Sequence, residues 1–440
     1  MMYLVYSFLV TVGLLLVAPC YLWKRRKELA GARWRERFGV LPGSFQQAER
    51  GAIWVHSVSV GETLAVVKLV RDLEKAYPER KIFLSHVTPA GRSAGESRLP
   101  SIAGRFYLPV DWRWAVRAVL RRIQPALLVI VETELWPNLL RASSEFGSRT
   151  VLVNARLSTR SFRHYSLVRP FMRRVLGYID VICAQSEADA SRFRQLGAAP
   201  ERVILSGNLK FDSEPPRLGA LPLLLRGAVA AAGRGPVMVA ASTMPGEETL
   251  VLKAWNTVRD RYPKALLLLA PRHPARFDEV AGILAASGSS YARRTDLASQ
   301  DAEISRQVAA PEVLLLDTIG ELAGILELAD VVFMGGSLVP TGGHNILEAA
   351  YWAKPVVFGP HMENFRDIAR LFLDAGACIR VQDAEELAQA VLKLFGDGAA
   401  CRQLGERAKQ TLERQTGATN RVLDSIRRLL DAPVSLKPEA

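Results

Sequence analysis

Short apolar runs alternate with amphipathic stretches from residue 52 to about residue 396. In the first half of the chain the apolar runs are AIWVHS, KIFLSH, ALLVIVE, TVLVNA, DVICAQ and RVILSG. Each run is brief and rich in β-branched residues, which is typical of strands buried on both faces of a sheet. The stretches between them, such as 62–76 and 112–122, have helical spacing. The alternation predicts a parallel sheet that is covered by helices.

This alternation stops once and then resumes. Residues 213–223 carry three prolines and a glycine and are predicted to be an interdomain linker. The runs PVMVAAS, ALLLLAP, EVLLLDT, DVVFMGG and PVVFGP follow. The pattern therefore predicts two Rossmann-like α/β domains, at residues 28–212 and 224–396. Residues 397–440 are predicted to form a charged helical segment that packs back across the domains.

The N-terminal segment is apolar and carries no charge from Tyr3 to Trp23. A helix of this length rises roughly 30 Å, which is about the thickness of the hydrocarbon layer. Aromatic residues lie at both ends, and four basic residues follow at 24–27. A cleaved signal peptide would have its positive charge before the apolar run. Residues 1–27 are therefore predicted to be an uncleaved membrane anchor, which either spans the bilayer or lies in one leaflet, with the rest of the chain cytoplasmic.

The net charge of +13 over 440 residues indicates an anionic partner, such as a nucleic acid, an acidic membrane or a phosphorylated substrate. Basic residues cluster at 24–27, 33–37, 113–122 and 156–174. No nucleic-acid-binding motif accompanies them, so a nucleic-acid partner is not predicted. The four cysteines are far apart in sequence, which argues against a disulfide framework or a cysteine metal site.

The loop GGSLVPTGGHNILEAA, at 335–350, follows an apolar run in the second half. Its four glycines would let backbone amides approach an anion closely. His344 or Asn345 would cap a helix that begins near Ile346, and the start of such a helix is a phosphate site. Glu348, in the first turn, could accept both hydroxyls of a ribose.

Other polar residues follow strands of the same half. Arg272 directly follows ALLLLAP, where it either binds a phosphate or is a solvated loop arginine. The hydroxyls of Ser242 and Thr243 either bind phosphate or cap the next helix. Residues 319–321 form another turn at a strand end. Neither a phosphate loop ending in Gly-Lys-Ser/Thr nor GxGxxG after a strand is present, so ATP and dinucleotide cofactors are disfavoured.

In the first half, Glu62 follows the strand AIWVHS and opens a helix. A carboxylate in that position could act as a general base, or it could be an ordinary first-turn glutamate. Glu132 ends an apolar strand, where an unpaired carboxylate would be costly, and Lys210 is the candidate cation for it. Asn154 and Arg156 could contact an acidic donor or acceptor.

The motifs HSVSVGE, ETELWPN, NARLS, GNLKFD, PRHP and GGHNILE together resemble those of 3-deoxy-D-manno-octulosonate (Kdo) transferases of Gram-negative bacteria. The resemblance extends over nearly the whole chain. It implies a GT-B fold, in which two Rossmann-like domains face each other across a cleft. It also implies transfer of Kdo from CMP-Kdo to the lipid A precursor (lipid IVA) in lipopolysaccharide core synthesis, with inversion, at the cytoplasmic face of the inner membrane.

By the same resemblance, Glu62 is the catalytic base, and Glu132 and Lys210 stabilise the transition state. The implied CMP contacts are Pro271, Arg272, Ile319, Gly320, Glu321, Asn345, Ile346, Leu347 and Glu348. No metal and no cofactor besides the donor are expected, because the paired-Asp motif of metal-dependent glycosyltransferases is missing from the sequence. The alternatives are a related enzyme that uses a UDP-linked sugar, as a transferase or an epimerase, and a non-enzymatic membrane adaptor.

Overall fold

The computed structural model describes residues 2–24, 33–43, 45, 51–214, 218–297, 304 and 307–431, with side chains of the first helix described up to residue 16. The basic residues 25–27 and most of the prolines of the predicted linker lie outside this part. The chain forms two compact units. The first contains residues 1–214 and 415–440, and the second contains residues 215–414.

Within the described residues, the first unit is built on a seven-stranded parallel sheet in the order β3-β2-β1-β4-β5-β6-β7. Its strands are β1 (Ala52–His56), β2 (Ile82–His86), β3 (Gly104–Tyr107), β4 (Pro125–Val131), β5 (Arg149–Ala155), β6 (Val181–Ala184) and β7 (Val203–Leu205). Its helices are α1 (Met2–Lys24), α2 (Trp34–Arg37), α3 (Val60–Ala76), α4 (Pro89–Arg98), α5 (Arg113–Ile123), α6 (Pro137–Phe146), α7 (Thr159–Leu167), α8 (Arg169–Gly177), α9 (Glu187–Leu196) and, from the end of the chain, α18 (Ala418–Asp431).

The second unit has the same construction, with strand order β10-β11-β9-β8-β12-β13-β14 in the described residues. Its strands are β8 (Val237–Thr243), β9 (Leu266–Pro271), β10 (Tyr291–Arg293), β11 (Val313–Leu315), β12 (Val331–Met334), β13 (Val356–Phe358) and β14 (Ile379–Arg380). Its helices are α10 (Ala220–Ala231), α11 (Glu247–Arg261), α12 (Phe277–Ala286), α13 (Leu322–Ile325), α14 (Leu347–Tyr351), α15 (Arg366–Asp374), α16 (Ala384–Gly396) and α17 (Gly398–Arg414). Two parallel-sheet Rossmann-like domains are therefore present, as the alternation predicts.

The end of the chain is divided between the two units. Helix α17 packs against the region of α14, where Gly405 lies so close to the carbonyl of Ala353 that a Cβ would meet its oxygen at 1.9 Å. Helix α18 belongs to the first unit, and Val422 and Ile426 are fully buried against the face that α3 also covers. Each such side chain contributes about 1.5–3 kcal/mol of burial free energy. The described part of the predicted C-terminal segment, up to residue 431, thus forms two helices with different partners.

Helix α1 contacts the first unit through polar side chains. Tyr6 donates to the buried Asp111 over 2.9 Å, and Asn138 donates to Ser7 over 3.0 Å. Burial raises the pKa of Asp111 to about 6. In the part of the chain that the structure describes, no helix combines the length and the apolar character that crossing a membrane requires.

Candidate active site

Glu62 lies in the turn between β1 and α3, and its carboxylate is held in place. Ser59 caps α3, and Glu62 is the third helical residue, which is the spacing of a capping box. One carboxylate oxygen accepts the N–H of Val58 at 2.7 Å, and the other accepts the hydroxyl of Ser59 at 3.0 Å. The side chain is therefore both a capping residue and a fixed carboxylate, and the residue is only 9% exposed.

A buried hydrogen-bond network of polar side chains holds this turn in place. The hydroxyls of Ser57 and Thr63 are 2.9 Å apart, and Thr63 also donates to the carbonyl of Ser59 over 2.9 Å. The imidazole of His86 lies 3.3 Å from the Ser57 hydroxyl. Burial lowers the pKa of His86 to about 4, so this ring is neutral at physiological pH. The network fixes the start of α3, and therefore the place of Glu62, without adding a charge.

The electrostatic surroundings of Glu62 suit a base that works near neutral pH. Burial, together with the charges of Glu132 and Glu134, raises the pKa of Glu62 to about 7, against the hydrogen bond from Val58. A general base is most effective when its pKa is near the working pH. Glu134 was not predicted as a site residue. Its only sequence signal is its position two residues after Glu132, and its carboxylate accepts the indole N–H of Trp136 at 3.0 Å.

Glu132 follows β4, next to β1, in a left-handed conformation with φ of 60°. Its carboxylate lies 3.7 Å from the ammonium of Lys210, so the ion pair expected from the sequence is present. Asn154, at the end of the adjacent β5, has φ of 53°, and its side-chain oxygen accepts the N–H of Leu209 at 3.0 Å. Such backbone strain costs on the order of 1–3 kcal/mol per residue and is typical of functional sites.

Asn154 has a structural role beside its predicted contact with a donor or acceptor. Its amide oxygen is occupied by the turn that carries Lys210, so Asn154 positions the lysine. The carbonyl of Arg156 accepts the hydroxyl of Thr133, which connects the loops after β4 and β5. Both residues therefore shape the edge of the sheet at which Glu62, Glu132 and Lys210 lie.

In the second unit the predicted donor residues share one edge of the sheet. The strands β11, β9, β8 and β12 are neighbours and parallel, so the loops that follow them lie in a row. Residues 319–321, Arg272 and 335–346 lie in the loops after β11, β9 and β12, whereas Ser242 lies in the last part of β8 itself. The N–H of Arg272 donates to the carbonyl of Thr243 over 3.0 Å, which joins two of the loops.

The glycine-rich loop differs from the prediction for it. The N–H groups of Gly336, Ser337 and Leu338 all donate to the carboxylate of Glu247, over 2.6, 3.0 and 2.9 Å. These amides therefore already bind an anion that belongs to the protein, so they are not available to bind a phosphate. Sequence reasoning missed Glu247, because a glycine-rich loop looks the same whichever anion it binds.

The helix after this loop is also shorter than a phosphate-binding helix. It has five residues, Leu347–Tyr351, and it begins one residue later than predicted. Asn345, rather than His344, accepts the N–H of Leu347, at 3.2 Å. A single turn contributes only a small dipole, so we do not assign phosphate binding to this helix terminus. Glu348 lies in the first turn, as predicted, and it is half-buried.

His344 lies beside Arg272. Burial, together with the charge of Arg272, lowers the pKa of His344 to about 4. The ring is therefore neutral, and its buried Nε2 has no hydrogen-bond partner among the described residues. Arg272 is exposed, so its guanidinium is accessible to an anion at this edge.

The loop after β11 presents a mixed surface. Ile319 is 64% exposed, and Gly320 is in a left-handed conformation with φ of 94°. Glu321 accepts a guanidinium N–H of Arg294 at 3.1 Å and also the hydroxyl of Thr318. Across the described residues, no group of three or more His, Cys, Asp or Glu side chains is arranged to hold a metal ion.

The predicted basic surface separates into two parts. Arg113 and Arg117 of α5, together with Arg141, form ion pairs of 2.8–2.9 Å with Glu145. The arginines of α7 and α8 are exposed and have no ion-pair partner in the described part of the chain: Arg160, Arg163, Arg169, Arg173 and Arg174. This second part therefore presents uncompensated positive charge.

Comparison with known proteins identifies the family. The model for 3-deoxy-D-manno-octulosonic-acid transferases matches residues 32–213, and that for glycosyl transferases group 1 matches residues 242–411. The Kdo transferase of Bordetella pertussis is 36% identical over 94% of this chain and 97% of its own length, and that of Haemophilus influenzae is 32% identical over 96% and 95%. The UDP-GlcNAc 2-epimerase of Neisseria meningitidis shares the fold at 12% identity, with a TM-score of 0.55 over 86% of this chain and 100% of that chain. The chain belongs to the Kdo transferase family of glycosyltransferases, which confirms the resemblance of its motifs.

Proposed function

We propose that the protein transfers Kdo from CMP-Kdo to a hydroxyl of lipid IVA, with inversion at the anomeric carbon. The observation that carries this proposal is Glu62, a fixed and buried carboxylate with a pKa of about 7 at a strand end of the first unit. Glu62 takes the proton of the acceptor hydroxyl, whose oxygen forms the bond to the anomeric carbon. The bond from that carbon to the phosphate oxygen breaks, and CMP leaves with the electron pair.

Glu132 and Lys210 assist this step by charge. The anomeric carbon gains positive character as the bond to CMP breaks, which a nearby carboxylate stabilises. Kdo is itself a carboxylic acid, and Lys210 offers the ammonium to hold it. The ammonium of Lys210 lies 3.7 Å from the carboxylate of Glu132, so both charges lie at the same place in the first unit.

The second unit holds the donor nucleotide. Arg272 opposes the negative charge that grows on the departing phosphate, so that no metal is needed for this role. The exposed Ile319 offers an apolar surface for the base, and residues 319–321 and 345–348 line the same edge. The carboxylate of Glu348 accepts the ribose hydroxyls.

Replacing Glu348 by Ala is expected to weaken CMP binding by about 10-fold or more, because a charge-assisted hydrogen bond contributes about 1.5–3 kcal/mol. Titration calorimetry of the full chain with CMP measures this change. Glu406→Ala, at an exposed position of α17, is the matched control and should leave the affinity unchanged. Equal CMP affinity in wild type and Glu348→Ala would reject this role for Glu348.

The reaction itself is tested by incubating the protein with CMP-Kdo and lipid IVA and measuring the mass of the lipid. We expect a mass increase that corresponds to added Kdo. Thermal stabilisation by CMP and by UDP distinguishes the proposed enzyme from an enzyme of this fold that uses a UDP-sugar, because the latter would be stabilised by UDP. Stabilisation by UDP alone, with no Kdo on the lipid, would overturn the proposal.

The acceptor and the anionic face of the inner membrane are proposed to meet the first unit. Helix α1 exposes large apolar side chains such as Phe8 and Leu15, and Leu167, the last residue of α7, is 83% exposed. The uncompensated arginines of α7 and α8 flank Leu167. Apolar residues beside positive charge are typical of a surface that lies in the headgroup region, at the cytoplasmic leaflet here.

Changing Arg160, Arg163 and Arg169 together to Gln is expected to raise the acceptor KM about 10-fold or more at low salt, and less at high salt, because each cation near an anionic surface contributes about 1 kcal/mol. Initial rates at two ionic strengths measure the effect. The control is the pair Arg113→Gln and Arg117→Gln, whose charges are already paired with Glu145. An increase that does not depend on salt would contradict an electrostatic role.

A further inference from the structure

Two consecutive carboxylates at the start of α11 connect the loops at the edge of the second sheet where the predicted donor residues lie. Glu247 and Glu248 are both fully buried, at 0% exposure. They follow β8, and the loops that they contact follow β12 and β9, the two strands on either side of β8. Buried carboxylates without such partners would be costly, so the contacts explain why these charges are tolerated.

Glu247 connects the loop after β8 with the loop after β12. One of its oxygens accepts the N–H groups of Met244 and Gly336, at 3.1 and 2.6 Å. The other accepts the N–H groups of Ser337 and Leu338, at 3.0 and 2.9 Å. Four backbone donors on one carboxylate fix the glycine-rich loop in the free protein. That loop continues into His344 and Glu348.

Glu248 connects the same turn with the loop after β9. Its two carboxylate oxygens accept N–H groups from the two terminal nitrogens of Arg276, at 2.5 and 3.0 Å. One of these oxygens also accepts the hydroxyl of Thr243, at 2.9 Å. Arg276 is itself 8% exposed, and its backbone N–H donates to the carbonyl of His273 over 3.0 Å. A bidentate pair of this kind fixes direction as well as distance. It therefore fixes the turn that carries Arg272.

We propose that Glu247 and Glu248 are positioning residues for the donor nucleotide, which they serve by holding three loops in their bound arrangement without touching the ligand. The carboxylate of Glu247 takes the place of an external anion in the glycine-rich loop. The loop is thus ordered before the donor arrives, and binding does not have to supply the ordering free energy. This inference rests on the proposed function, since it concerns the site for CMP.

The test uses Glu247→Gln and Glu248→Gln in the full chain, well below their melting temperatures. An amide in place of the Glu247 carboxylate can accept fewer of the four N–H groups, and an amide in place of the Glu248 carboxylate lacks the charge that pairs with Arg276. We expect each variant to bind CMP at least 10-fold more weakly by calorimetry and to raise the KM for CMP-Kdo, with the acceptor KM unchanged. The matched control is Arg234→Met, because Arg234 donates to the carbonyls of Ala265 and Pro311 at the opposite edge of the same sheet.

The control should lower the melting temperature but leave CMP affinity unchanged. A second variant, Glu247→Ala, opens space at the four amides, and we expect added acetate to recover part of its CMP affinity. Unchanged CMP affinity in both Gln variants, or an equal loss in Arg234→Met, would overturn the positioning role. Failure of the wild-type protein to bind CMP would instead reject the proposed function, so the two failures are distinguishable.

Discussion

Replacing Glu62 by Gln is expected to reduce Kdo transfer by about 10²–10⁴-fold, which is the usual contribution of a general base. The amide cannot take the proton of the acceptor, but it has nearly the same shape and can keep the contacts with Val58 and Ser59. CMP affinity should not change, because the donor loops belong to the second unit. Single-turnover rates and CMP calorimetry measure the two quantities. Transfer close to that of wild type would reject Glu62 as the base.

The same variant should be more stable than wild type at high pH. In the folded protein the pKa of Glu62 is raised from 4.5 to about 7, so its charged form is disfavoured there. Wild-type stability therefore falls as the pH rises through this interval, and the neutral Gln avoids the loss. The expected gain is on the order of 2–3 kcal/mol at pH 8 and close to zero at pH 4. Melting temperatures at the two pH values check the sign, and a loss of stability at pH 8 would contradict it.

Replacing Lys210 by Met is expected to lower transfer by about 100-fold and to move the acid limb of the pH–rate profile to higher pH. Lys210 neutralises Glu132, whose charge raises the pKa of Glu62. Without the lysine this charge acts in full, and Glu62 loses its proton only at higher pH. Values of kcat/KM from pH 5.5 to 8.5 would show the shift.

Glu132→Gln provides the opposite change, since it removes the charge and should move the acid limb to lower pH. Glu134→Gln should do so too, because Glu134 also raises the pKa of Glu62 but is not the ion-pair partner of Lys210. If the pH–rate profiles of Lys210→Met, Glu132→Gln and Glu134→Gln all had the same acid limb, Glu62 would not be the titrating base.

Much of the fold could be predicted because apolar period and strand length depend on local sequence. The assignment of α17 to the second unit and of α18 to the first unit could not be predicted, because nothing in the charged stretch from 397 to 431 indicates which unit each helix joins. Their partners differ through tertiary contacts, such as the close approach of Gly405 to Ala353. Periodicity predicts that a helix forms, but it does not specify which sheet the helix covers.

The candidate site was predictable where a charge follows an apolar strand, as with Glu62 and with the pair of Glu132 and Lys210. Glu247 also follows an apolar strand, but its role could not be predicted, since the amides that it binds lie 89 to 91 residues further along the chain. A first-turn glutamate is usually exposed, and only the tertiary structure buries this one. The left-handed conformation of Glu132 is also invisible in sequence, because it is not a glycine.

The position of α18 has a consequence for synthesis on the ribosome. The second unit is continuous in sequence, whereas the first is closed only by the last helix, whose N-terminal amides at Gly417 and Thr419 donate to Asp212. The nascent first unit therefore waits for the whole second unit to be translated before its apolar face around Val66 is covered. Chains that stop before α18 would have a complete second unit and a first unit whose apolar face is open to chaperones and proteases.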